Sequence, residues 1–250
     1  MRKEEIIEGD FVHVVIRGAH GCSIIRDDAD CWRILLNLLH FNDSSPVPNT
    51  WFRDLMDLKI ANTFKRPPSW PDRKPLTAII AFSLVGNHLH LYLKEITEGG
   101  ISKFMHRLGT GIAGHFNSKY KEKGSLFQGP YRARIIRDDR YLRYVLAYIQ
   151  VKNPFELYPG GYEKACNEFD KAYEWASNYP YCSLGDYEGK RNSPILDKDL
   201  LGEIFAEENF KSFAKDFLEG RNIKIFGEEE DVSFKDNEPV ASVLQSCFIE

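Results

Sequence analysis

Two apolar runs separated by Gly86-Asn87 constrain the fold of this chain more than any other feature of its sequence. The runs extend from Leu76 to Val85 and from His88 to Lys94, and both are rich in residues that favour β-strands. Glycine and asparagine tolerate positive φ, so the pair predicts the tight turn of a β-hairpin. The fold must therefore accommodate an antiparallel sheet.

Further strand and helix patterns surround this hairpin. The β-branched run from Phe11 to Gly18 predicts a strand, as does the alternating run at 126–136. Apolar residues three and four apart predict helices at 29–39, 54–62, 101–123, 139–151, 163–177 and 196–217. The helix at 139–151 should end near Asn153-Pro154, because proline disfavours helix in the preceding residue. The order of elements predicts an α+β fold, a mainly antiparallel sheet with helices packed on it.

Length and composition define the organisation and the cellular setting that we expect. The 250 residues divide into a core domain at 1–160 with a proline-rich insertion at 42–75, a helical extension at 161–220 and an acidic tail at 221–250. No apolar run approaches the roughly 18 residues of a membrane span, and the charged N-terminus does not resemble a signal peptide. Five scattered cysteines argue against a disulfide framework or a zinc ribbon. We therefore expect a cytoplasmic protein that does not bind membranes.

The charge of the chain is distributed unevenly. The net charge is −4, yet basic residues dominate between Ile101 and Asn153 and acidic residues dominate beyond Pro154. A basic middle suits a protein that meets nucleic-acid phosphate with one part only, although a local charge bias without function gives the same composition. The candidate phosphate contacts are Lys119, Arg132, Arg134, Arg137 and Lys152.

The second strand of the hairpin carries His88 and His90 two residues apart. Side chains alternate along a strand, so both imidazoles project from one face while Leu89, Leu91 and Leu93 project from the other. Two imidazoles on one face can converge on a divalent cation. A histidine in a strand can equally be a hydrogen-bonded structural residue.

Three tyrosines, Tyr141, Tyr144 and Tyr148, lie at helical spacing in the last helix of the core. An aromatic stripe packed on the sheet is the simplest interpretation. The polar residues Gln150, Lys152 and Asn153 that follow Tyr148 favour a second one. A tyrosine that attacks phosphorus needs a metal or another cation nearby to stabilise the developing charge.

Two motifs together resemble a known family, the single-tyrosine HUH transposases and especially the REP-associated tyrosine transposases. The first is Gly86-Asn87-His88-Leu89-His90, and the second runs from Tyr148-Ile149 to Asn153-Pro154. The first strand ending Ile16-Arg17-Gly18 and the segment Phe127-Gln128-Gly129-Pro130-Tyr131 resemble the family as well. The resemblance is good over the first two thirds of the chain and looser beyond.

This resemblance implies an HUH endonuclease core with a ferredoxin-like or RRM-like sheet. It implies that Tyr148 is the nucleophile, that His88 and His90 hold Mg²⁺ or Mn²⁺, and that the product is a 5′-phosphotyrosine. The implied substrate is single-stranded DNA or a DNA hairpin with a single-stranded flank. Family members act as monomers or homodimers, and the long C-terminal region favours the monomer.

The chain departs from the family at the third metal ligand. An amide commonly stands four residues after the tyrosine, where this sequence has Lys152 and displaces the asparagine to Asn153. Asn153 could reach the metal through an irregular helix end, Gln150 could substitute, or Lys152 could replace part of the metal's role. A second hypothesis is a host-retained protein that binds hairpin DNA or RNA without cleaving it. A third is an unrelated metal-dependent hydrolase, with Glu95 as the nearest candidate base.

Overall fold

A computed structural model describes residues 5–198 and 209–220 of the chain. Its centre is a four-stranded sheet of β1 (Phe11–Arg17), β2 (Thr77–Val85), β3 (His88–Glu95) and β4 (Arg132–Ile136). The strands lie in the order β2-β3-β1-β4, and every neighbouring pair is antiparallel. This is the strand order of a ferredoxin-like core. The predicted α+β class and the hairpin at Gly86-Asn87 are confirmed.

Helices cover both faces of the sheet. Those on the first face and in the insertion are α1 (Asp28–His40), α2 (Trp51–Asp57) and α3 (Gly100–Tyr120). Those that follow β4 are α4 (Asp139–Ala147), a π-helix (Tyr148–Lys152), α5 (Asn153–Glu156), α6 (Gly161–Asn167), α7 (Phe169–Asn178), α8 (Leu184–Tyr187) and α9 (Phe210–Leu218). In the described part of the chain, no helix is long and apolar enough to cross a membrane.

The first face of the sheet packs against α1 and α3. Val12, Val14 and Ile16 of β1 join the three leucines of β3 in this layer, and all six are buried. The two helices approach each other closely at Gly111, where an added Cβ would stand only 2.1 Å from the Phe41 ring. The absence of a side chain at residue 111 therefore allows Phe41 to pack directly on the backbone of α3.

The second face is also covered, in this case by the π-helix. The even-numbered side chains of β3 share this face with Val15 and Arg17 of β1, because residues directly opposite in an antiparallel pair point the same way. Tyr148 of the π-helix packs against His13 and His90 there. Both faces of the central strands are therefore buried.

The C-terminal extension follows the outer edge of β2. Leu84 donates its backbone N–H to Tyr181, while Ser183 and Asp197 donate theirs to Phe82 and Ile79, each over 2.9 Å. These bonds occupy backbone groups that an edge strand would otherwise expose to pairing with another chain. The division at residue 160 stays a prediction, and the acidic tail lies outside the described residues.

Several elements differ from the sequence predictions. β4 begins at Arg132 instead of 126, because Gly129-Pro130 interrupts regular pairing and only a single bridge joins Phe127 to Gly18. The helix predicted at 163–177 is two helices, α6 and α7, and the short helix predicted at 54–62 occupies 51–57. Of the helix predicted at 196–217, residues 199–208 lie outside the described residues and α9 forms the rest.

Candidate active site

The histidine pair of β3 lies in the interior of the protein, on the face of the sheet opposite the leucines. His88 is 4% exposed and His90 is fully buried, with ring centroids 4.7 Å apart. The Asn87 side chain lies next to His88, with 2.5 Å between Asn87 Oδ1 and His88 Nδ1. The strand alternation therefore brings both imidazoles together, as the sequence predicts.

A third histidine, His13 of β1, completes a cluster with these two. His13 Nε2 lies 3.0 Å from His90 Nδ1, and the two rings are stacked with centroids 5.3 Å apart. Burial, with a smaller contribution from the charge of Arg134, lowers the pKa of His13 to about 3. Burial and neighbouring basic groups hold the pKa of His90 well below its usual value. Both rings are therefore neutral at pH 7.

Tyr148 is the tyrosine that contacts the histidines. Its ring stands edge-on to His90, with centroids 5.5 Å apart. Tyr144 instead packs on Phe217 of α9 at 4.5 Å, and Tyr141 stacks on Tyr144 at 6.1 Å. The three tyrosines therefore do not form one continuous stripe on the sheet.

The helix does not end at Asn153-Pro154 as predicted but passes through a π-turn. The backbone N–H of Asn153 bonds the carbonyl of Tyr148, five residues back. Pro154 has no N–H to donate to the Gln150 carbonyl and would crowd it in an α-helix, which explains the wider turn. The buried Cys182 thiol compensates, because its Sγ lies 3.6 Å from the Gln150 carbonyl oxygen.

The three side chains considered as a third metal ligand lie in different surroundings. Gln150 Nε2 donates to Ser183 Oγ over 3.2 Å, at the β2 edge of the sheet. Lys152 Nζ pairs with Glu156 at 2.5 Å and lies 4.8 Å from the centre of the Tyr148 ring. Asn153 is 1% exposed, and neither of its amide atoms has a hydrogen-bond partner among the described residues.

One family of known proteins matches the segment that carries the histidine pair and Tyr148. Residues 72–152, which include β2, β3 and the π-helix, match the family described as "Transposase IS200 like". The matched segment is about a third of the chain and contains His88, His90 and Tyr148. No curated protein matches it. A solved structure of a REP-associated tyrosine transposase bound to a REP hairpin has 16% sequence identity and a TM-score of 0.42, over 78% of this chain and 88% of the other.

The basic residues predicted to contact DNA are divided between the two faces. Arg132 and Arg134 pair with Val15 and His13 across β1 and β4, so they project from the face that carries the histidines. Arg17, which the sequence analysis did not single out, lies opposite His88 on that face. Arg137 is exposed just beyond β4.

Lys119 is not brought together with the other candidate DNA contacts. It lies on α3 and forms ion pairs with Asp27 at 2.6 Å and Asp30 at 2.7 Å. Burial disfavours the charged Lys119, but hydrogen bonds to these carboxylates outweigh it and raise its pKa above the usual range. Lys119 therefore stabilises the contact between α1 and α3.

The remaining candidate, Glu95, is also remote from the histidine face. Its Oε2 accepts the backbone N–H of Ile101 over 2.7 Å, which satisfies a donor in the first turn of α3. Glu95 is 1% exposed and projects with the leucines of β3. Among the described residues, no group of three His, Cys, Asp or Glu side chains is placed to hold a metal ion.

Proposed function

We propose that this protein is a transposase that cuts and rejoins single-stranded DNA through a covalent 5′-phosphotyrosine on Tyr148. The observation that carries the proposal is the contact between the Tyr148 ring and His90, whose Nε2 has no hydrogen-bond partner in the described part of the chain. A nucleophile next to an available imidazole nitrogen is the juxtaposition that metal-assisted phosphoryl transfer requires.

A divalent cation fits the side chains around Tyr148. Buried polar atoms usually have a partner, so His90 Nε2 and the two amide atoms of Asn153 suit the role of metal ligands. Asn87 Oδ1 lies against Nδ1 of His88, so Nε2 is the ring nitrogen that would bind the ion. His88, His90 and Asn153 would hold the ion. Mg²⁺ or Mn²⁺ would polarise the scissile phosphate, and of the two ions Mn²⁺ accepts imidazole ligands better than the harder Mg²⁺.

The π-turn supports Asn153 over the two other candidates. In an α-helix, the residue four positions after a tyrosine lies about one turn above it. The bond from Asn153 N–H to the Tyr148 carbonyl spans five residues, so the π-turn carries Asn153 about one turn above Tyr148 instead. The asparagine stands five residues after the tyrosine instead of four, and the wider π-turn compensates for that additional residue. Gln150 and Lys152 already have partners in Ser183 and Glu156.

The cleavage step conserves the energy of the phosphodiester. The Tyr148 oxygen attacks phosphorus and loses its proton to solvent, while the bond to the 3′ oxygen breaks and that oxygen takes up a proton. A second 3′-hydroxyl can reverse the step and join new ends without ATP. Lys152 places positive charge 4.8 Å from the Tyr148 ring, near the phosphate on which charge develops.

DNA binds at the β4 side of the sheet face that carries the histidines, where Arg132 is exposed. Arg17, Arg132 and Arg134 project there, and Arg137 and Lys152 extend the positive charge beyond it. Contacts between arginine side chains and DNA phosphates position the DNA strand but do not recognise its base sequence. The family resemblance suggests a hairpin with a single-stranded flank as the substrate.

Tyr148→Phe tests the proposal. The change removes one oxygen and keeps the ring that packs on His90, so folding and DNA affinity should be preserved while the covalent adduct is lost. Wild type, Tyr148→Phe and Tyr144→Phe are incubated with labelled single-stranded hairpin DNA and Mn²⁺, and adducts that survive denaturation are mapped by mass spectrometry. Tyr144→Phe is the matched control, because Tyr144 packs on Phe217.

The outcomes separate the candidate functions. The transposase mechanism is supported if wild type and Tyr144→Phe form an adduct on Tyr148 while Tyr148→Phe forms none. Cleavage without any adduct would identify water as the nucleophile. Tight hairpin binding with neither cleavage nor adduct would identify a binding protein that does not cut.

A further inference from the structure

His13 lies where it can control the chemical state of His90. It is fully buried, its Nε2 lies 3.0 Å from His90 Nδ1, and the rings are stacked with an interplanar angle of 20°. The two histidines are diagonal neighbours across β1 and β3, since Val15 stands directly opposite His90. The sheet register therefore fixes this contact.

A hydrogen bond between two neutral imidazoles has two possible directions. If His13 Nε2–H donates, His90 accepts at Nδ1 and carries its proton at Nε2, where it cannot bind a cation. If His90 Nδ1–H donates, His13 accepts and the lone pair of His90 Nε2 is available. The direction of this bond therefore decides whether His90 can be a metal ligand.

The neighbouring histidine indicates which direction applies. Asn87 Nδ2 donates to the Gly21 carbonyl over 3.4 Å, which leaves Asn87 Oδ1 to face His88 Nδ1. An amide oxygen only accepts, so His88 carries its proton at Nδ1 and has its lone pair at Nε2. Ligand histidines commonly donate the other ring N–H to an acceptor in this way. For His90 to donate its Nδ1–H in the same way, it needs an acceptor at that nitrogen. Among the described residues, the only hydrogen-bond partner of His90 Nδ1 is His13 Nε2.

We infer that His13 is a positioning residue that accepts the Nδ1–H of His90 and holds its Nε2 ready for a divalent cation. The inference rests on the proposed function, because it assigns a role toward the metal of that site. His13 itself does not contact the substrate or the ion. Its effect is on the tautomer and orientation of His90.

Two substitutions of His13 separate hydrogen bonding from packing. His13→Phe keeps an aromatic ring in the stack but removes the acceptor, whereas His13→Gln places an amide oxygen near the position of Nε2. Loss of such an outer partner typically weakens metal affinity about 10- to 100-fold, so we expect that loss for His13→Phe and a much smaller one for His13→Gln. The control is His40→Phe, since His40 is equally buried but lies on α1 between Trp51 and Trp70.

Two measurements on the full chain test this. Long-range ¹H–¹⁵N NMR of metal-free wild type identifies the His90 tautomer, and Mn²⁺ titration followed by electron paramagnetic resonance gives the affinity of each protein. We expect the Nδ1–H tautomer in wild type, weak Mn²⁺ binding in His13→Phe, and near wild-type binding in His13→Gln and His40→Phe. The NMR measurement needs no variant, so it remains decisive even if His13→Phe does not fold.

Failure of this inference differs from failure of the proposed function. An Nε2–H tautomer in wild type, or equal Mn²⁺ affinity in wild type and His13→Phe, overturns the role of His13. The proposed function then still stands if His90→Gln loses Mn²⁺ binding. If wild type binds no Mn²⁺ at all, the metal site of the proposed function and the role of His13 both fall.

Discussion

Asn153→Leu should make the metal-free protein more stable while it removes the response to metal. Leucine has the same number of side-chain heavy atoms as asparagine and the same branching, so it fits the site without a large change of shape. Asn153 is 1% exposed, and among the described residues neither amide atom has a partner. An unpaired buried polar group costs about 1–3 kcal/mol, and an apolar group of similar shape removes that cost.

The expected magnitudes follow from these costs. Some of the gain is lost to imperfect packing, so we expect the free energy of unfolding in EDTA to rise by about 1–3 kcal/mol. For a chain of this length each kcal/mol corresponds to roughly 2–4 °C in Tm. Saturating wild type with Mn²⁺ at about 100 times its Kd should add about 2.7 kcal/mol, and Asn153→Leu should show little of that addition.

Urea unfolding with and without Mn²⁺ measures both effects, and the chain offers a matched control. Asn37 of α1 is also fully buried, and its two amide atoms likewise have no partner in the described part of the chain. Asn37→Leu should therefore raise stability in EDTA but keep the full Mn²⁺ increment. If Asn153→Leu and wild type gain equally from Mn²⁺, Asn153 is not a ligand. If Asn153→Leu lowers stability in EDTA, the account of its burial is wrong.

Two further predictions concern charge. Hairpin DNA affinity, measured by fluorescence anisotropy, should fall steeply with salt, and Arg132→Ala and Arg134→Ala should each lower the salt slope by about one. Lys119→Ala should leave the slope unchanged, and an equal effect there would move the binding face to α3. Burial, reinforced by nearby arginines, lowers the pKa of His40 to about 4, so only the unfolded chain gains that proton as the pH falls below about 6.5. Stability should therefore decline by about 3 kcal/mol between pH 6.5 and 4, at about 1.4 kcal/mol per unit. His40→Phe should remove this part of the decline in urea unfolding, and equal pH dependence in both proteins would contradict the assignment.

Local patterns were sufficient to predict the framework of the site. The turn residues Gly86-Asn87 and the alternation of β3 define the hairpin and place His88 and His90 on one face. These features depend on neighbours in sequence, so the sequence contains the information directly. The same holds for α1 and α3, whose apolar residues recur at helical spacing.

Features that depend on distant partners were not predictable in this way. His13 lies in a recognisable strand, but its contact with His90 requires the strand order and register of the whole sheet. The salt bridges of Lys119 involve aspartates about ninety residues away in sequence. Pro154 in the sequence signals an irregular helix, yet it does not specify a π-turn. The Gln150 carbonyl oxygen in that turn also lies 3.6 Å from Cys182 Sγ, and Cys182 comes from a separate segment beside β2.

The arrangement of the tyrosines bears on whether the site is structural or functional. Tyr141 and Tyr144 pack against each other, Phe217 and the Arg134 guanidinium, as an aromatic stripe would. Tyr148 lies instead against neutral, desolvated imidazoles and a lysine, and the buried, unpaired amide of Asn153 follows one π-turn later. None of these groups improves an apolar core. Such a costly polar cluster lowers stability unless a ligand completes it, and natural proteins tolerate that cost chiefly at functional sites. The cost of these surroundings, together with the contact with His90, therefore supports Tyr148 as the proposed nucleophile.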